Sequence, residues 1–201
     1  MVAKKSAAKG MDRRDVVAHL VRDRGDAVVV TGLGSPTYDT FAAGDHDLNF
    51  YLWGGMGGAA MAGLGLALAQ PKRRVLVITG DGEMLMGIGS LATIAVAAPK
   101  NLAIAVIDNG HYGETGMQRA HTGLGVDIAG MAKAAGFKSS TTITSMAALK
   151  GWLDTWYRKP GPVFADIKVA AVPAPMRLPV RDGTAIKHRF RTALLGPAAF
   201  E

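Results

Sequence analysis

Three apolar runs in this chain end abruptly in glycine: Val28-Val-Val-Thr-Gly32, Val75-Leu-Val-Ile-Thr-Gly80, and Leu102 through Asp108-Asn-Gly110. Runs so short and continuous suit strands buried on both faces, because a half-buried strand would alternate apolar with polar residues. The segments between them carry helical spacing. In Met11–Arg24, for example, Val16, Val17, Leu20 and Val21 share one face. The pattern predicts strands at Ala27–Thr31, Asn49–Trp53, Arg74–Thr79, Leu102–Asp108, Lys138–Thr142 and Val163–Val169. It predicts helices at Met11–Arg24, Met56–Ala69, Met84–Ala97, Val126–Ala135 and Ser145–Tyr157, with a further short one after Pro36. Such alternation defines an α/β fold, a three-layer parallel sheet with helices on both faces.

The 201 residues are 49% hydrophobic, enough for one domain with a full core. The expected organisation is a basic N-terminal tail at 1–10, a domain at 11–172 and a basic C-terminal extension at 173–201 that wraps a neighbour or lies on the surface. The net charge of +7 suggests nucleic acid until it is located: residues 15–176 balance 13 cations against 13 acids, and the two ends carry the whole excess. A nucleic-acid binder concentrates positive charge on its fold, so solubility or partner docking is the better reading and no nucleic acid is expected. The absence of cysteine excludes a disulfide scaffold, a thiolate metal site and a cysteine nucleophile, and is in keeping with a reducing cytoplasm. The start of the chain lacks the apolar core of a secretory signal. From Leu48 to Pro71 there is no charge over a length that could cross a bilayer. Six glycines between Gly54 and Gly65 break it into a strand, a loop and a short helix, so no membrane association is expected.

In open parallel sheets ligands sit beyond the carboxyl ends of the strands. The glycine-rich turns there offer bare N–H groups to an anion such as phosphate. The loop Gly80-Asp81-Gly82-Glu83 has no lysine, which excludes a P-loop, and Gly32-Leu-Gly-Ser-Pro lacks the third glycine of a dinucleotide fingerprint. What remains is an acid between two glycines at one strand tip, Asp81, and an amide at the next, Asn109. An aspartate oxygen, an amide oxygen and a nearby carbonyl suit a hard cation such as Mg²⁺ whose shell phosphate oxygens complete. Read apart, Gly-Asp-Gly is a turn and Asn109 a loop starter; their spacing and strand contexts favour the cation.

With Gly80-Asp81-Gly82 and Asn109 as its motif, the chain resembles the PP domain of thiamine diphosphate (ThDP) enzymes over roughly residues 11–170. The resemblance implies the ThDP-binding fold of PP type, with ThDP and Mg²⁺ as cofactors. It implies metal ligands at Asp81, Asn109 and the carbonyl of His111, and diphosphate contacts from Gly80 and from the N–H groups of Gly82 and Glu83. A second match, Gly54-Gly55-Met56-Gly57, implies that Met56 props the cofactor into its bent shape and that the Gly54 carbonyl holds its 4′-amino group.

In this family a glutamate from a separate PYR domain activates the cofactor ring. The chain has only Glu83, Glu114 and Glu201, none in such a context. The resemblance therefore implies half an active site, completed in a hetero-oligomer by a PYR-domain α subunit. The run from Asp108 to Gln118 is most similar to the decarboxylase branch acting on small anionic 2-oxo acids such as sulfopyruvate or phosphonopyruvate. His111, Tyr112, Glu114, Gln118 and His121 are candidates for proton transfer or anion binding, with Tyr112, Glu114 and His121 the leading catalytic choices. Two alternatives stay open: a subunit of another ThDP enzyme (carboligating synthase or 2-oxoacid oxidoreductase), and a non-catalytic cofactor-binding interaction subunit.

Overall fold

A computed structural model describes residues 10–200. Its strands are β1 (Val28–Thr31), β2 (Asn49–Tyr51), β3 (Val75–Gly80), β4 (Leu102–Asp108), β5 (His111–Tyr112), β6 (Gln118–Arg119), β7 (Ser139–Ile143) and β8 (Val163–Lys168). The helices are α1 (Arg13–Arg22), α2 (Ser35–Ala42), α3 (Ala59–Ala69), α4 (Asp81–Met86), α5 (Ser90–Ala97), α6 (Ile128–Ala135), α7 (Met146–Arg158) and α8 (Gly183–Leu195). Six strands form one sheet in the order β2-β1-β3-β4-β8-β7, every pair parallel. The α/β three-layer architecture expected from the apolar runs is the one observed.

Successive residues of the central strands feed opposite layers. Val28, Val30, Val75, Val77, Ile104 and Val106 pack toward α3, α5 and α6, whereas Val29, Leu76, Ile78, Ala103 and Ala105 pack toward α1 and α7. Both layers exclude water from these strands, which is why the sequence shows continuous apolar runs. After β1 the chain steps outward to β2 and returns on the other side as β3, so the strand order reverses between β1 and β3. That reversal opens a crevice at the carboxyl ends.

Two expectations need correction. The helix expected over Met84–Ala97 is two helices: α4 ends at Gly87, α5 begins after Gly89, and α4 starts at Asp81. The break follows from a close approach, because a Cβ on Gly87 would strike the Gly57 carbonyl. The C-terminal extension does more than lie on the surface, because it folds into α8 against this chain's own sheet edge. Asp182 caps α8, with its side chain accepting from the Thr184 and Ala185 N–H groups. The helix then covers the β2 edge, with Ile186 and Phe190 buried and the Phe190 ring edge-on to Phe50 at 5.3 Å. Burying each such side chain contributes about 2 kcal/mol, and Arg189 adds an ion pair to Asp45 at 2.6 Å. Within the glycine-rich segment from Asn109 to Gly125, β5 and β6 pair as a small antiparallel hairpin. The expected N-terminal tail at 1–10 lies, but for Gly10, outside the described residues. No described helix is long and apolar enough to cross a membrane.

Candidate functional site

Register brings the site together. Gly80 pairs with Ile107 on the neighbouring strand, which sets Asp81 and Asp108 side by side one residue beyond. Asp81 opens α4, and Gly80 at its cap has no side chain to occupy the first-turn N–H groups. The N–H groups of Asp81 and Gly82 lie against the Asp81 carboxylate itself. Gly82 has no room for a side chain because the Tyr112 ring lies against it.

Asp81 is 3% exposed. The Thr122 hydroxyl reaches its Oδ2 at 2.7 Å and also lies 2.9 Å from Asp108 Oδ1. One hydroxyl carries one proton, so it serves only one carboxylate at a time. Burial pushes the Asp81 carboxyl up to about 6; the Thr122 hydrogen bond opposes this and the charge of Asp108 adds to it. No described cation pairs with Asp81. Asp108 also accepts from the Gly110 N–H at 2.8 Å and is paired with Lys168, whose ammonium lies 2.8 Å from Asp166 as well. Burial pushes Asp166 up to about 7; Lys168 opposes this and the charge of Asp108 adds to it.

Asn109 Oδ1 accepts from the His111 N–H at 2.9 Å, and the His111 ring Nδ1 meets the Asn109 carbonyl at 2.8 Å. This is a loop-starting Asx turn. The amide oxygen keeps a second lone pair, and Gly110, not Asn109, takes the left-handed conformation, at φ 68°. The donors grouped here are one carboxylate, one amide and main-chain carbonyls. Among the described residues no group of three or more His, Asp or Glu is gathered to hold a metal by itself. A cation at Asp81 would therefore need oxygens from a ligand, which suits Mg²⁺ bound with phosphate. The uncompensated charge of Asp81 is the structural feature that fits such a cation.

These residues border a cavity of about 130 Å³. Met56, Gly80, Asp81, Gly82, Glu83, Asn109, His111, Tyr112 and Glu114 all line it; Gly54 and His121 do not. Gly54, at φ 70°, turns the chain out of β2. His121 is exposed at the start of a 3₁₀ turn, and its neighbour Thr122 is the residue that reaches Asp81. Gln118 is exposed and holds Thr115 within the hairpin loop.

Glu83, singled out for its main chain, uses its buried side chain as well. Its Oε2 accepts from the Leu33 N–H at 3.0 Å, and the N–H groups of Gly57 and Ala59 also lie against the carboxylate. One side chain thus ties together the loops after β1, before α3 and after β3. A Cβ on Gly32 would occupy the space of that carboxylate, and burial raises its pKa. Glu114 accepts from the Tyr38 hydroxyl at 3.1 Å. Sequence reasoning missed Thr122, Tyr38 and Lys168, each of which reaches its partner across 41 or more residues.

The doubly wound sheet carries a glycine-flanked aspartate and an amide at the carboxyl ends of adjacent strands. Residues 34–167 match the family described as thiamine pyrophosphate enzyme, C-terminal TPP binding domain. The chain belongs to that family. It is 40% identical over 131 residues to the sulfopyruvate decarboxylase subunit beta of Methanocaldococcus jannaschii, covering 65% of this chain and 69% of that one. To the phosphonopyruvate decarboxylase of Streptomyces viridochromogenes it is 40% identical over 144 residues, covering 72% of this chain and 36% of that one. An X-ray structure described as that of a thiamin diphosphate-dependent enzyme from Mycobacterium smegmatis superposes with a TM-score of 0.66 at 25% identity, covering 83% of this chain and 33% of that one. The chain thus spans about a third of the Streptomyces enzyme and of the solved one.

Proposed function

We propose that this chain is the cofactor-binding subunit of a two-chain, ThDP- and Mg²⁺-dependent decarboxylase of small anionic 2-oxo acids such as sulfopyruvate or phosphonopyruvate. The observation that carries this reading is the buried Asp81 carboxylate, without a cationic partner among the described residues, lining with Asn109 a cavity of about 130 Å³. Pockets that enclose a whole small-molecule ligand run to about 300 Å³ or more. The cradle has room for the diphosphate end of a cofactor, and the remainder needs walls from elsewhere.

Bound ThDP would supply the electron sink that carbon–carbon cleavage requires. The chain's own residues hold and shield it. Asp81 and Asn109 would offer side-chain oxygens and His111 its carbonyl to Mg²⁺, while the first turn of α4 at Gly82 and Glu83 would border the diphosphate. Met56, 37% exposed on the cavity wall, is placed to prop a bent cofactor. Tyr112 covers Gly82 and keeps water from the diphosphate. Glu114, held by Tyr38, presents a carboxylate for proton transfer.

The partner is proposed from an inventory. Glu83 is committed to the Leu33 N–H and Glu114 to Tyr38, and Glu201 lies outside the described residues. A glutamate to activate the ring would come from a PYR-domain α subunit in a hetero-oligomer. The subunit name of the Methanocaldococcus relative supports a split arrangement.

The test is to assay the purified chain for ThDP-dependent CO₂ release from sulfopyruvate and phosphonopyruvate, alone and with a PYR-type partner. Silence alone and CO₂ release with the partner is the expected result. Full activity from the chain alone, with no second polypeptide detected by mass spectrometry, would refute the split site. A condensed acid formed from two 2-oxo acids would point to a carboligating synthase instead.

A further inference from the structure

A second cavity of about 280 Å³ adjoins the cradle, walled on its far side by Val172–Met176 of the C-terminal extension. Arg13 stands at the divide and lines both cavities. Its setting is unusual for an arginine. The residue is 7% exposed, yet among the described residues its buried Nε has no hydrogen-bond partner. Arg13 Nη1 lies 3.2 Å from Asp39 Oδ2, but that oxygen has no hydrogen-bond partner.

Asp39 is already committed. Its Oδ1 accepts from Arg14 Nε at 3.2 Å, so one carboxylate faces two guanidinium groups and a unit of positive charge is left over. Glu114, on the wall of both cavities, is engaged by Tyr38 rather than by Arg13. A buried guanidinium whose one carboxylate is shared with a second arginine is incompletely compensated, and an incoming anion relieves it. Its planar fork matches the paired oxygens of a carboxylate, sulfonate or phosphate.

We infer that Arg13 binds an oxyanion at the divide between the two cavities. Resting on the function proposed above, that oxyanion is an acidic group of the 2-oxo acid substrate or the outer phosphate of the cofactor. The chemistry is the same in both cases, and the two sources separate by experiment.

The full chain is titrated calorimetrically with inorganic pyrophosphate plus Mg²⁺, and separately with 3-phosphonopropionate, an unreactive mimic of a dianionic substrate. Arg13→Met is expected to weaken at least one probe by roughly 10- to 100-fold, the range for a charged hydrogen-bonding group. Arg13→Lys, which keeps the charge without the fork, should recover part of the loss. Weakening confined to pyrophosphate assigns the phosphate, and weakening confined to 3-phosphonopropionate assigns the substrate group. Affinities within twofold of wild type for both probes in Arg13→Met overturn the inference, as does a wild-type chain that binds neither. Should Arg13→Met fail to fold, as judged by its thermal melt, Arg13→Lys decides: unchanged affinity for both probes counts against the inference. ThDP titration of the wild-type chain and of Asp81→Asn keeps the two readings apart. Arg13 variants that bind every probe normally while Asp81→Asn loses ThDP would sink the role of Arg13 and leave the cradle standing.

Discussion

Asp81 and Asp108 occupy equivalent places on neighbouring strands, each one residue beyond a paired position, each 3% exposed and each touching Thr122. Their charges are handled differently. Among the described residues Asp108 has Lys168 and the Gly110 N–H, whereas Asp81 has only the shared hydroxyl beyond its own turn of main chain. A fold meant only to be stable would not bury a carboxylate without a cation, because the desolvation cost is not offset. Asp108 is part of the scaffold; the proposed function gives Asp81 its missing positive charge through a ligand.

The contrast can be broken most forcefully from the scaffold side. Lys168→Met leaves Asp108 and Asp166 buried without a cation. It is expected to destabilise the ligand-free chain at pH 8 by about 3 kcal/mol, the low end for breaking a buried pair because Lys168 is itself partly exposed. Denaturant titration reads this directly. A loss near zero would mean that Asp108 is no better compensated than Asp81.

Removing the other charge should have the opposite sign. The folded-state pKa of Asp81, about 6, is raised by burial above its ordinary 3.8. The stability linked to its protonation is therefore fully present below about pH 4 and lost as pH rises through 6. Asp81→Asn is neutral at every pH. It should make the ligand-free chain more stable by on the order of 2 kcal/mol at pH 8, with the gain vanishing near pH 4. Asp166, raised to about 7, follows the same sign with a later window. Asp166→Asn should flatten the decline in melting temperature between pH 6 and 8 by a smaller amount, since Lys168 already offsets part of its charge. Melts of the variants across pH 4 to 8 check both statements. A smaller effect still is expected of Thr122→Val, which removes the shared hydroxyl while leaving the metal donors. Affinity for Mg²⁺ with pyrophosphate should change only a few-fold.

The same pair shows what a linear chain reveals. Asp81 was legible because glycines flank it and an apolar run precedes it, which are local signals. The compensation of Asp108 was not, because Lys168 lies 60 residues away and sheet order alone makes it a neighbour. Thr122 was hidden in a loop where His121 was the chemically more conspicuous residue; only the fold of the 109–125 segment decides which of the two turns inward. The C-terminal helix carried a signal that tail composition masked: a capping Asp182 followed by Ile186 and Phe190 at helical spacing. The break between α4 and α5 depends on the Gly57 carbonyl from a different part of the chain. Gly87 and Gly89 mark the place within 84–97, but the contact that makes a glycine necessary there comes from outside the segment.

The most direct test of the central claim is calorimetric titration of ThDP into the full chain at pH 7.5, with and without Mg²⁺, for wild type, Asp81→Asn and Asn109→Ala. Binding that requires Mg²⁺ in the wild type and falls at least 100-fold in Asp81→Asn, with substantial weakening in Asn109→Ala and intact thermal melts throughout, is the result expected if Asp81 awaits a cation-bound diphosphate. ThDP affinity that is independent of Mg²⁺, or unchanged in both variants, would contradict it.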